Sequence, residues 1–273
     1  MKRRIDAFSI SVLLFMLVLS LDFGSFDAVA TIAAPIVATL VAFLLANAGA
    51  ENKIDALTVA RRLTLRREGL SLTLLVAAPT VTVILFISYL TSLVLGALGA
   101  VGAPVENEPI ARMLLTRALI PTISEEMLFR LVPLVIVAPY SKRSALILST
   151  LLFAFVHCNF FQIPFALAAG LVFMMLDLAF ESILPSLILH FLNNTASVIW
   201  IKVGENSTYA AIFFGVLGVL CAASLVVVYA RRRRIFSLMR ESLSRGERAG
   251  RECIAIPAAV MALSTLSAVM NII

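Results

Sequence analysis

Apolar runs of nearly bilayer-spanning length follow one another through most of this chain. They fall at about 7–21, 28–46, 70–101, 110–138, 144–161, 163–180, 183–203 and 208–230, with another near 254–273. A helix needs roughly 20 mainly apolar residues, at 1.5 Å each, to cross about 30 Å of hydrocarbon. The 273 residues are 61% hydrophobic and only 14% charged, against about 45–50% and about 25% in soluble domains, which excludes an ordinary soluble fold. The expected class is all-α: a polytopic helical membrane protein of about eight transmembrane helices, with a candidate ninth at the C-terminus. The third run is longer than a straight crossing needs and contains Pro79, so tilt or a kink is expected there.

The 22 Lys and Arg exceed the 16 Asp and Glu, but they sit between apolar runs. Lys2, Arg3 and Arg4, then Lys53, Arg61, Arg62, Arg66 and Arg67, then Lys142 and Arg143, then Arg231 to Arg234, share one side if each run crosses once. That side is cytoplasmic, with the amino terminus inside. The opposite loops carry Asp22, Asp27, Glu106, Glu108 and Glu205. Topology thus explains the positive charge, and no nucleic-acid partner is expected. Residues 231–252 form a basic cytoplasmic segment, read as a stop-transfer flank in preference to a lipid-binding element. The start resembles a signal sequence, yet no A-x-A site precedes Asp22, so it is read as a retained first span of a cell-membrane protein. Cys158, Cys221 and Cys253 show no paired spacing and read as reduced small hydrophobes. With no repeat or phosphate loop, residues 1–273 are taken as a single membrane domain.

An ionisable side chain in hydrocarbon costs about 2.5–3.5 kcal/mol on insertion scales, so each one is a functional candidate. The fourth run carries Arg112, Arg117 and then Ser124-Glu125-Glu126-Met127-Leu128-Phe129-Arg130. On a helix Glu126 and Arg130 stand at i and i+4 with the acid first, the favourable order for an ion pair. Glu125 lies about 100° round from Glu126 and projects elsewhere, a carboxylate left to act as a base.

Both histidines of the chain also lie in apolar segments, His157 behind Phe153 and His190 ahead of Asn193 and Asn194. Phe153 and His157 share a helix face, as do His190 and Asn194. Three spans thereby converge Glu, His, and His with Asn. The set supports attack by water on a carbonyl: Glu125 takes the proton, His157 helps to place the water, and His190 with Asn194 stabilises the oxyanion. Glu125, His157 and His190 also form a zinc-type donor set, although no H-E-x-x-H is present, and metal-free activation is slightly favoured. Asp177 and Glu181, four residues apart at a span end, are placed to reach water. Cys158 turns away from the His157 face. Asn193 receives no role.

The motifs Glu125-Glu126-x-x-x-Arg130, Phe153-x-x-x-His157 and His190-x-x-x-Asn194, in this order on separate spans, resemble those of the CAAX protease and bacteriocin-processing (CPBP, or Abi) family of intramembrane proteases. The resemblance covers a core of about residues 110–205. It implies about eight helical spans around a polar cavity reached from the cytoplasmic side. In the type II CAAX prenyl endopeptidases of this family, a carboxy-terminal tripeptide is removed after a prenylated cysteine. Carried over by motif, Glu125 is the water-activating residue, His157 its partner, and His190 with Asn194 the oxyanion site; Glu126, Arg130 and Phe153 support them. The family is labelled metalloprotease, while a metal-free glutamate mechanism is also proposed for it, which leaves zinc open. The implied partners are the lipid bilayer and a peptide or protein substrate, prenylated at a CAAX terminus or processed as a bacteriocin. The competing expectations are a non-catalytic membrane immunity or scaffold protein and an ion-coupled transporter.

Overall fold

A computed structural model describes residues 1–19, 27–51, 53–100, 108–204, 206–244 and 255–270. Asp22, the Asp27 side chain, Glu106, Glu205, Cys253 and residues 245–252 of the basic segment lie outside the described residues. Among the described residues every regular element is helical. In chain order these are α1 (Lys2–Leu19), α2 (Asp27–Asn47), α3 (Ala56–Arg61) and α4 (Arg67–Ala97). Next, α5 (Ile110–Met113), α6 (Ile120–Glu126) and α7 (Val132–Ile136) are joined by π-helical turns at Leu114–Leu119 and Met127–Leu131. Then come α8 (Lys142–Phe155), α9 (Ile163–Phe180), α10 (Leu184–Val203), α11 (Ser207–Ala230), α12 (Arg232–Ser244) and α13 (Ala255–Met270).

Local chemistry sets several helix starts. The side chains of Asp55, Ser141 and Asn206 accept hydrogen bonds from first-turn backbone N–H groups of α3, α8 and α11, which would otherwise be orphaned. Pro164 and Pro185 stand in the first turns of α9 and α10, where no donor is missed.

Four described helices are long and apolar enough to cross a membrane: α4, α9, α10 and α11. They match the runs 70–101, 163–180, 183–203 and 208–230 closely. Passing through Pro79, α4 continues as helix for 31 residues, about 46 Å, well beyond the hydrocarbon thickness. Other runs differ from expectation. The run 110–138 is divided by its two π turns, and the run 144–161 yields a helix of only 14 residues, about 21 Å long. It stops because Phe155 is followed by a turn in which His157 Nδ1 binds the Phe153 carbonyl at 2.8 Å and Cys158 adopts a positive φ of 47°.

Three of the four basic groups expected on one side are represented at one end of the bundle. Arg62 and Lys142 both pair with Glu181, at 2.9 and 3.1 Å, and Arg234 pairs with Glu68. Glu181 ends α9 in the left-handed region at φ 53°, a conformation costing a non-glycine residue about 1–2 kcal/mol. Partial burial pushes its carboxyl pKa up, but the hydrogen bonds and charges of Arg62 and Lys142 outweigh this and hold it below the ordinary value. Arg112 and Arg117 do not join the interior polar cluster; both pair with Glu108.

Against α1, whose Ile5, Phe8, Val12 and Phe15 are buried, α2 presents Ala34, Ala38, Ala42 and Ala46, one small residue per turn. Small side chains let membrane helices approach closely. Replacing Ala42 by Leu is expected to cost about 1–3 kcal/mol through overpacking, read as a lower unfolding temperature in detergent; an unchanged temperature would contradict the tight α1–α2 contact.

Candidate active site

The segment 110–136 reads in sequence as one helix, but its two prolines alter the backbone. Proline lacks an N–H, so the usual i→i−4 bond is lost at Pro121 and Pro133. The ladder slips to i→i−5 bonds nearby, from Ile120 N–H to the Leu115 carbonyl and from Val132 N–H to the Met127 carbonyl. Such π turns are frequent at functional sites. At Pro133 the slip has a direct consequence: the Phe129 carbonyl, which residue 133 would serve in an α-helix, instead accepts from Arg130 Nη1 at 3.1 Å and from the Ser149 hydroxyl. Arg130 Nη1 also donates to Ser149 Oγ at 3.1 Å. A freed backbone acceptor and a serine of α8 therefore anchor the buried guanidinium.

From this anchorage Arg130 Nε lies 3.4 Å from Glu126 Oε2, and both side chains are wholly buried. The other carboxylate oxygen, Oε1, receives a hydrogen bond from His190 Nδ1 at 2.7 Å. A carboxylate only accepts, so His190 Nδ1 carries the proton and Nε2 is the nitrogen left to face Glu125. Glu125 Oε2 stands 3.8 Å from it, and the Glu125 side chain is 23% exposed while that of Glu126 has no exposure. The two neighbouring glutamates thus address opposite nitrogens of one imidazole, one from the interior and one from the accessible side.

Phe153 is the packing centre. Its ring lies under the Arg130 guanidinium at 4.4 Å and meets His157 and His190 edge-on, with centroids 5.2 and 5.8 Å away. Phe173 of α9 packs on His190 at 5.7 Å and lies 5.8 Å from the guanidinium. The two rings cover a guanidinium whose Nε and Nη2 have no hydrogen-bond partner among the described residues.

The candidates therefore fall into two groups. Glu126, Arg130 and His190 are directly joined, and Glu125 stands 3.8 Å from His190 Nε2. His157 reaches them through Phe153, and no hydrogen bond or ion pair connects it to Glu125 among the described residues. Its Nδ1 donates to the Phe153 carbonyl, so neutral His157 presents Nε2 as an acceptor. It occupies the turn after α8 rather than a helix face. One turn beyond His190, Asn194 receives only a weak bond from Asn193 Nδ2 at 3.4 Å, which leaves its own amide N–H groups without a partner among the described residues. Asn193 is 5% exposed, and its Oδ1 has no hydrogen-bond partner there. Among the described residues no three of His, Cys, Asp and Glu are grouped to hold a metal ion. Glu125, His157 and His190 do not come together as a zinc donor set in this arrangement.

Asp177 corrects the expectation that it reaches water: it is completely buried. Its Oδ1 accepts from the Ser186 N–H at 3.1 Å, in the first turn of α10, and it lies close enough to Glu126 and Arg130 to interact with their charges. Sequence spacing tied it to Glu181, but α9 turns Asp177 inward and leaves Glu181 at the surface. The available signal was a lone acid within an otherwise apolar helix.

Residues 107–196 match the sequence model of the family described as type II CAAX prenyl endopeptidase Rce1-like. Comparison with curated proteins and with solved structures gave no match. Removing the acceptor in Asp177→Ala should cost about 1–3 kcal/mol by leaving the Ser186 N–H unsatisfied, whereas Asp177→Asn keeps an acceptor oxygen and should cost less. Thermal unfolding of the two variants in detergent checks that order, and equal losses would remove Asp177 from the anchoring of α10. All three polar motifs lie inside residues 107–196, so the match to the type II CAAX prenyl endopeptidase Rce1-like family model falls on the segment that holds the candidate site.

Proposed function

We propose that this integral membrane protein is an endopeptidase that hydrolyses a peptide bond with water activated by Glu125. The observation that supports this most strongly is the pairing of a partly exposed carboxylate with His190, whose far nitrogen is held by a buried one. At 3.8 Å, Glu125 Oε2 and His190 Nε2 are too far apart for a direct hydrogen bond, and in this reading a water about 2.8 Å from each bridges them.

In this reading Glu125 removes a proton as the water oxygen bonds to the substrate carbonyl carbon. The Asn194 amide donates to the developing oxyanion, and His190 contributes a donor when its Nε2 is protonated. His157, through Nε2, accepts from the incoming water or a substrate N–H. Collapse of the tetrahedral intermediate breaks the C–N bond, and the proton on Glu125 passes to the departing amine. Glu126 and Arg130 do not touch substrate; they fix the His190 tautomer and orientation.

The proposed substrate is a peptide or protein with a prenylated CAAX terminus, since the family match names that class. The proposed topology has about eight spans, with the amino terminus in the cytoplasm of a cell-membrane protein and the site reached from the same side. It rests on the basic loops that meet at one end of the bundle and on the positive-inside rule.

Terminal-peptide mass spectrometry on membranes carrying wild type or Glu125→Gln tests the activity. New protein termini should form with wild type and fall by about a hundredfold or more in the variant, the contribution expected of a general base. Equal termini from both, at equal expression, would overturn the reading. A second expectation is that cleavage by purified protein survives treatment with a zinc chelator, with the zinc content of the active fraction well below one per chain. Loss on chelation and recovery with zinc would replace the metal-free mechanism.

A further inference from the structure

We infer that a cavity at the basic end of the bundle is a binding site for the phosphate of an anionic lipid headgroup. The cavity has a volume of about 600 Å³ and lies between the α3–α4 connection, the start of α8, the end of α9 and α12. Arg61, Arg62, Arg66 and Lys142 line it, together with the hydroxyl residues Thr58 and Thr64. Three acids also line it, among them Glu181, engaged by Arg62 and Lys142, and Glu68, engaged by Arg234. The third, Glu241, comes from α12.

Against these acids the side chains of Arg61 and Arg66 form no ion pair among the described residues, and both are exposed. Arg62 is more buried, and its Nε has no hydrogen-bond partner there although its Nη1 is bound to Glu181. The cavity therefore offers two guanidinium groups outside any ion pair among the described residues, Arg61 acting on Asp55 through its charge alone, and one further N–H donor. Guanidinium forks match phosphate oxygens in geometry and charge better than they match any neutral ligand.

Its position selects a lipid as the source of the phosphate. Spanning helices α4, α9 and α11 begin or end at Arg67, Phe180 and Ala230, and Arg66 and Phe180 line the cavity itself, which places it at headgroup depth. On α12, Ile235 and Met239 pack on the core while Phe236 is 72% exposed beside the run Arg231 to Arg234. An apolar residue projecting from a basic helix at this level suits the boundary between headgroups and acyl chains. The inference does not depend on the protein being a protease.

The test uses the full chain in nanodiscs of phosphatidylcholine with or without phosphatidylglycerol, and counts the lipids retained in native mass spectrometry. Wild type should retain phosphatidylglycerol in preference to phosphatidylcholine. The double variant Arg61→Gln with Arg66→Gln should weaken that retention about tenfold or more, the loss expected when direct charge-assisted hydrogen bonds to the phosphate are removed. A control, Arg232→Gln with Arg233→Gln, removes equal charge from the adjacent surface and should retain most of the preference. Undiminished retention in the first variant, or an equal loss in the control, would overturn the site in favour of diffuse surface attraction. Thermal protection by inorganic phosphate in neutral nanodiscs, without any preference for phosphatidylglycerol, would overturn the lipid assignment. Because Arg61 and Arg66 are exposed, their replacement leaves the packed core untouched.

Discussion

The ion pair between Glu126 and Arg130 has no access to water on either side, and much of the surrounding structure makes that tolerable. Burying each ion costs several kcal/mol even after relaxation, and the attraction between them offsets this only with good geometry and further hydrogen bonds. Here the supporting groups come from four elements. Pro133 frees the Phe129 carbonyl, α8 contributes Ser149 and Phe153, α9 contributes Phe173, and α10 brings His190 to the remaining carboxylate oxygen. An apolar replacement of similar volume would pack as well or better, so the pair is hard to account for as a stabilising device. What it provides is a fixed imidazole.

That fixing explains how two adjacent glutamates have different surroundings. Glu126 closes α6 at the edge of a π turn and points into the bundle, while Glu125 remains partly exposed and faces the opposite side of the same histidine. Were the arginine absent, the buried Glu126 carboxylate would lose its permanent counter-charge. With it present, His190 donates through Nδ1 to a carboxylate that already has its counter-charge, and turns Nε2 towards Glu125.

Short-range relations were legible in the sequence, and long-range ones only in part. Glu126 and Arg130 are four residues apart on one segment, so their pairing follows from helix geometry. The bond from Glu126 to His190 spans 64 residues, and no periodicity encodes it; an accumulation of polar groups on separate apolar runs only suggests that they meet. The span limits followed the apolar runs closely where helices are uninterrupted, as in α9 and α11. They failed at 144–161 because apolar composition continues past the point where the backbone turns. Asn159, whose side chain accepts from the Phe161 N–H, was the turn signal within that run. The π turns were likewise marked by Pro121 and Pro133, but a lost donor announces only that the ladder is disturbed, and the rearrangement depends on which neighbouring group takes the free carbonyl.

The turn between α9 and α10 links the polar interior to the basic surface. Within ten residues, Asp177 accepts from Ser186, Glu181 adopts its left-handed conformation under the grip of Arg62 and Lys142, and Ile183 N–H donates to the Arg62 carbonyl. Each contact constrains the first turn of α10, and His190 lies one turn further along the same rigid helix. A side-chain change at the surface would therefore reach the imidazole through the register of α10 rather than through a chain of side-chain contacts. The constraint is one of position, since a shift of one residue in that register rotates His190 by about 100° and breaks its alignment with both glutamates at once.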